Sequence, residues 1–161
     1  MKKIFLFSIL LLAFVSCQDD VSFNNPSFEG KKDGVLWRAV DARATIAANG
    51  SLTIEAYNRS EVLTLKTINK APQTYPLGTG GGNLATYVFS EDNGTITYTS
   101  EDLEEYQNGE IVIQEYDAVN QTVTGTFKFN VKNIDPAASD DPTINYQYGK
   151  FYKVPVTNFT L

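Results

Sequence analysis

Residues Gln121–Val131 read Gln-Thr-Val-Thr-Gly-Thr-Phe-Lys-Phe-Asn-Val. Val123, Gly125, Phe127, Phe129 and Val131 share one parity, and Thr122, Thr124, Thr126, Lys128 and Asn130 share the other. Side chains alternate across a strand with period two, so this run has one dry and one wet face, as an antiparallel strand does. Upstream, Glu110–Tyr116 is a second strand, joined to the first through a turn at Asp117–Asn120.

The same grammar extends toward the N-terminus. Ser27–Lys31 and Val35–Val40 flank Asp33-Gly34, and Arg43–Ala48 and Ser51–Tyr57 flank Asn49-Gly50. Leu84–Ser90 and Thr95–Ser100 flank Asn93-Gly94. Asp-Gly and Asn-Gly supply the positive φ values that tight hairpins need. Glu61–Ile68 is a further strand; Pro72–Asn83 reads as a loop, and Glu101–Asn108 as an acidic interruption with a short turn of helix. After a polar loop at Asn133–Thr143, Lys150–Val156 closes the chain, with Tyr152, Val154 and Val156 on its inner face and Pro155 suggesting an edge position. The expectation is an all-β fold, a single antiparallel β-sandwich or barrel-like meander of about nine to ten strands over residues 27–161. A sandwich and a barrel fit equally.

Four motifs stand out in these runs: Phe28-x-x-x-x-Asp33-Gly34-x-x-Trp37, Asn49-Gly50-Ser51-Leu52-Thr53-Ile54, Thr124-Gly125-Thr126-Phe127-x-Phe129 and Gly149-x-Phe151-x-x-Val154-Pro155. In them the chain resembles a family of small Bacteroidota lipoproteins catalogued as a domain of unknown function. The resemblance implies a lipoprotein with an all-β domain. It implies no activity and no site residues, because these are strand and turn motifs.

The first 16 residues are consistent with a lipoprotein. Lys2 and Lys3 precede an apolar run, Ile4–Phe14, which is too short for the roughly 20 apolar residues of a membrane-spanning helix. Phe14-Val15-Ser16-Cys17 resembles a bacterial lipobox, with Phe14 where leucine is commonest. In such signals the cysteine is diacylated and becomes the new N-terminus, so residues 1–16 read as signal, Cys17 as the lipidation site and residues 17–26 as a tether. Two or more acyl chains anchor stably where one does not. Gln18-Asp19-Asp20 resembles the surface-export signal of Bacteroidota lipoproteins, which gives an outer-membrane, surface-exposed address in the cell envelope.

Composition narrows the chemistry. The 161 residues contain 13 Lys+Arg, 19 Asp+Glu, one Cys and no His. Without Lys2 and Lys3 the balance is 11 bases to 19 acids, or −8, which argues against nucleic acid as a partner. Without histidine there is no Ser-His-Asp triad, Cys-His pair or His-ligated zinc, and one cysteine makes no internal disulfide.

The remaining candidates are few. Gly78–Gly82 lacks the Lys-Ser/Thr of a phosphate loop, and Leu84–Phe89 after it is strand-like, so it reads as a loop. Glu101, Asp102, Glu104 and Glu105 form an acidic run without the alternating spacing of a calcium loop, and Asp140-Asp141 is weaker still, so no metal or cofactor is expected. Glu110 and Glu115 are candidates for a glycosidase pair, but parity puts them on opposite faces unless a bulge intervenes. Trp37 reads as core. Tyr146 and Tyr148 share a strand face on strict alternation and are the candidate ligand-binding residues, set beside the loops at Pro72–Asn83 and Asn133–Thr143. The expected function is that of a non-catalytic binding or accessory module of the envelope. It would meet the membrane through its lipid and a glycan or an envelope protein through its domain, with little dependence on salt because bases are few. The alternatives are a structural or assembly partner and, third, a carboxylate-based glycan hydrolase.

Overall fold

Short alternating runs punctuated by Gly, Asn and Asp turns form eleven strands and no helix among the described residues. The structure is a computed structural model that describes residues 27–78, 80–92, 94–101, 109–135 and 142–158. Cys17, the signal and the tether lie outside them, as do Asp102, Glu104, Glu105, Asp140 and Asp141. In chain order the strands are β1 (Ser27–Lys32), β2 (Val35–Arg38), β3 (Asp41–Ile46), β4 (Leu52–Asn58), β5 (Glu61–Thr67), β6 (Gln73–Pro76), β7 (Leu84–Glu91), β8 (Gly94–Thr99), β9 (Glu110–Asp117), β10 (Thr122–Asn133) and β11 (Thr143–Asn158).

They make one sheet in the order β2-β1-β11-β3-β4-β5-β7-β8-β10-β9-β6. A further pairing of β11 with β10 closes seven of them, β11-β3-β4-β5-β7-β8-β10, into a ring. The pairs β1-β2 and β9-β6 extend from it, on β11 and β10 respectively. The ring is thin at one seam, where β10 meets β8 only at Lys132↔Thr99 and Asn133↔Tyr98. The all-β expectation holds, with one addition: the sheet is mixed. Val156–Asn158 runs parallel to Ala44–Ile46, whereas the other pairings are antiparallel. Hairpins force antiparallel neighbours. The end of β11 and β3 are distant in sequence and are not so constrained.

The interior is aromatic. Phe127 and Phe129 on β10 are buried, and their ring centroids lie 5.6 Å apart. The Phe28 ring lies tilted at 4.9 Å from Phe127, and Tyr146 lies 5.1 Å from Phe129 and 6.1 Å from Trp37. Trp37 is core, as its position after a tight turn suggests. Asp33 and Gly34 take φ values of 50° and 81°, the left-handed pair of a tight hairpin. Two glycines make room for the rings. A Cβ on Gly149 would stand 2.4 Å from the Phe127 ring, and one on Gly125 would stand 2.1 Å from the Val112 carbonyl oxygen.

The structure departs from the sequence reading at Gln73–Pro76, Tyr152 and Pro155. Gln73–Pro76, read as loop, is the edge strand β6, which pairs with β9 and buries Tyr75. Four residues ending in proline carry too little pattern to announce a strand. Tyr152 is 40% exposed rather than on the inner face with Val154 and Val156. Between Val123↔Val154 and Gly125↔Phe151, β11 spends three residues where β10 spends two, and Lys153 takes a φ of 49° in that bulge. Pro155 is not on an edge strand. It lies on β11 between Tyr152, the last residue paired to β1, and Val156, the first paired to β3, so its missing N–H falls in a gap in the ladder.

Candidate functional site

Of the two candidate tyrosines only Tyr148 can meet a ligand. Tyr146 is fully buried, which corrects the reading of Tyr146 and Tyr148 as a surface pair, and Tyr148 is 76% exposed. The cause is a second bulge in β11. Between Phe127↔Gly149 and Phe129↔Tyr146 one residue is inserted, and Tyr148 takes a φ of 54°. The insertion reverses the parity, turning Tyr146 inward and Tyr148 outward. Burial pushes the Tyr146 phenol well above its ordinary value, with Tyr87 and Glu61 adding to the shift. Among the described residues its hydroxyl has no hydrogen-bond partner.

Tyr148 borders an open depression of about 420 Å³ on the outer face of β2, β1, β11 and β10, lined also by Lys31, Leu36, Thr126, Lys128 and Lys150. The Lys31 ammonium lies 5.5 Å from the Tyr148 ring centroid, within cation–π range. Lys128 Nζ stands 3.2 Å from Glu110 Oε1. Arg38 donates to Glu29 Oε2 from Nε at 3.0 Å and Nη2 at 2.6 Å. Among the described residues neither Lys31 nor Lys150 has a carboxylate partner. The expectation of few bases beside the tyrosines is therefore corrected. Three lysines line this depression of an acidic chain, together with two glutamates, Glu29 and Glu110, that are paired to Arg38 and Lys128.

The loops drawn in by the sequence do not join it. Among the described residues, none of Pro72–Asn83 or Asn133–Thr143 lines the depression. The first of these segments is also less loose than expected, since it holds β6 and the Tyr75 hydroxyl donates to the Ala71 carbonyl at 2.7 Å. After the glycine run comes β7, a strand, as its sequence suggested. Glu110 and Glu115 do not converge. A bulge opposite Thr124 and Gly125 intervenes, but five residues of strand at about 3.3 Å each still separate them by roughly 16 Å. Glycosidase pairs stand about 5–10 Å apart. Among the described residues there is no group of three or more metal-ligating side chains, and no helix is long and apolar enough to cross a membrane.

Sequence reasoning missed a second polar cluster, inside the barrel where β1 and β2 face β5 and β7. Glu61 on β5 pairs with Lys32 from β1 and accepts hydrogen bonds from Tyr87 Oη at 2.6 Å, Trp37 Nε1 at 2.5 Å and Asn58 Nδ2 at 3.2 Å. Lys32 Nζ also donates to the Tyr87 hydroxyl oxygen at 2.8 Å. Burial pushes the Glu61 carboxyl up, but the bonds from Lys32, Tyr87 and Trp37 together outweigh it and hold the group below the usual carboxylate range. Burial first, and then the Glu61 carboxylate, pushes the Tyr87 phenol far up. A lone carboxylate this saturated with donors is held ionised and joins strands across the barrel. A signal was present: Lys32 shares parity with Phe28 and Gly30, and Glu61 with Leu63 and Leu65, so both charges fall on inward positions.

A family model described as a domain of unknown function (DUF6252) matches residues 24–155. None of the curated proteins and none of the solved structures matches the chain.

Proposed function

The chain belongs to the DUF6252 family, and we propose that it is a lipid-anchored lipoprotein of the bacterial cell envelope whose β domain is a non-catalytic binding or accessory module. The observation that carries the binding reading is Tyr148. A bulge turns this ring outward, at 76% exposure, beside a depression where Lys31 and Lys150 have no carboxylate partner among the described residues. Bulges are over-represented where a fold re-aims a side chain for use. The wide separation of Glu110 and Glu115 favours binding over hydrolysis.

The anchoring half of the proposal rests on Phe14-Val15-Ser16-Cys17, and the outer-membrane, surface-exposed address in a Bacteroidota envelope rests on Gln18-Asp19-Asp20. Cys17→Ala is expected to abolish acylation and leave a larger, uncleaved precursor. Metabolic labelling with an alkyne fatty acid reads this directly, and equal label on wild type and variant would sink it.

The binding half is tested by calorimetric titration of residues 18–161 with envelope polysaccharides. Tyr148→Ala is expected to weaken binding about tenfold, the equivalent of ~1.4 kcal/mol for one aromatic contact. An unchanged isotherm would remove this site, and release of reducing sugar would overturn the non-catalytic reading. A second reading, an assembly partner in the envelope, is favoured by the edge strand β2, whose Val35 and Leu36 are 70% and 65% exposed. Capture of an envelope protein that Leu36→Asp abolishes and Tyr148→Ala leaves intact would select it.

A further inference from the structure

We propose that the Tyr148 depression takes an acidic sugar, a uronate-type pyranose whose ring face lies on Tyr148 and whose carboxylate meets Lys31 and Lys150. The inference rests on the binding reading above and names its ligand class.

The argument begins with the backbone. Tyr148 is a non-glycine residue at a φ of 54°, within a strand rather than in a hairpin turn. A side chain there costs stability that glycine would avoid. Burial does not repay the cost, because the ring is 76% exposed. The nearest gain is the Lys31 ammonium 5.5 Å from the ring centroid, and an exposed contact of that kind is weak. A strained, exposed aromatic ring suits a surface that something else covers.

Charge then selects what covers it. Acids outnumber bases 19 to 13 in the chain, yet the depression gathers Lys31, Lys128 and Lys150. The local carboxylates are already committed. Glu110 is taken by Lys128 at 3.2 Å, and Glu29 by Arg38 at 2.6 Å. Glu29 sits directly opposite Lys150 in the β1–β11 register, so its commitment to Arg38 leaves Lys150 without the partner the sheet would give it. Lys31 and Lys150 both line the depression, one from β1 and one from β11. The site thus offers one exposed aromatic ring and two ammonium groups that, among the described residues, have no carboxylate partner.

A ligand that uses both needs an apolar ring face next to an anionic group. A pyranose carrying a carboxylate has both: its axial C–H bonds present the face, and its carboxylate accepts from ammonium donors. A neutral sugar would use the ring and leave the lysines idle. A bare phosphate would use the lysines and leave the ring idle.

The test uses the full chain, purified in a zwitterionic detergent, and four probes: galacturonate tetramers, their methyl esters, a neutral dextran oligosaccharide and inorganic phosphate. Galacturonate tetramers are expected to bind at least about tenfold more tightly than their methyl esters. That preference should shrink as salt rises from about 50 to about 500 mM. The double variant Lys31→Met/Lys150→Met should lose the preference while keeping its affinity for the methyl ester. Lys70→Met, on a lysine that stacks over Tyr116 instead, should behave as wild type. Equal affinity for acid and ester, or a double variant that keeps the preference, overturns the acidic-sugar proposal. So does phosphate binding as tightly as galacturonate and indifferent to Tyr148→Ala. If the sugars bind through Tyr148 without regard to charge, only the ligand class fails. If no sugar binds in a Tyr148-dependent way, the binding reading fails and this proposal fails with it.

Discussion

Phe127→Ala is expected to destabilise the domain by about 3–5 kcal/mol, the usual cost of deleting a buried phenyl ring. Phe127 is 2% exposed and lies against Phe28 at 4.9 Å, Phe129 at 5.6 Å and Tyr146 at 6.3 Å. The surroundings are poorly placed to collapse into the space. Gly149 stands against the ring because no larger residue fits, and its neighbours are strands fixed by ladders on β9 and β11. A cavity that cannot relax carries the full cost. Thr126→Ala, one residue away on the outer face, is expected to change stability by no more than about 0.5 kcal/mol. Urea melts of the two variants at one pH settle the matter. Coincident midpoints would mean that the alternation of β10 does not mark burial.

That alternation was legible because a strand with one dry face writes its burial into sequence parity. Val123, Phe127, Phe129 and Val131 are all inside, and Asp33-Gly34 and Asn49-Gly50 turn where their chemistry requires. β11 was not legible in the same way. Its two bulges each insert one residue, and each insertion inverts every parity assignment beyond it. Unbroken alternation puts Tyr146 and Tyr148 on the outer face and Tyr152 on the inner. Tyr146 and Tyr152 depart from it, each beside a bulge whose extra residue sits at positive φ. Neither Tyr148 nor Lys153 is a glycine, so no residue type announced the bulge.

The site divides along the same line. Tyr148 could be named from sequence as an aromatic on a strand face near the C-terminus, but its lysines could not. Lys31 and Lys150 are far apart in the chain, and the β1–β11 pairing that brings their strands together is non-local. The absence of charge compensation is a property of the register, because the carboxylate opposite Lys150 is held by Arg38 from the neighbouring strand β2. Net charge averages over such arrangements, and a chain of −6 can still hold a basic depression.

Glu61 is where removing a single polar group should cost most. Its carboxylate serves Lys32, Trp37, Tyr87 and Asn58 at once, and its side chain is 14% exposed. Glu61→Ala would leave the Trp37 N–H and the Tyr87 O–H without their acceptor and Lys32 without its carboxylate. Breaking a buried pair from one side costs about 3–5 kcal/mol, and the 27% exposure of Lys32 lets water soften the loss toward the lower figure. The pH dependence has a definite sign. The folded state holds the Glu61 carboxyl below its ordinary range, so the unfolded chain takes up this proton first as pH falls. The contribution is therefore complete above the unfolded value of about 4.3 and is lost as pH drops through the lower folded value. Glu61→Gln keeps an acceptor oxygen but cannot ionise, so its deficit against wild type should be large at neutral pH and shrink in acid. Urea midpoints at about pH 7 and about pH 3 measure the two deficits. Equal deficits would show that the cluster stabilises through shape and neutral hydrogen bonds, with the carboxylate charge contributing nothing.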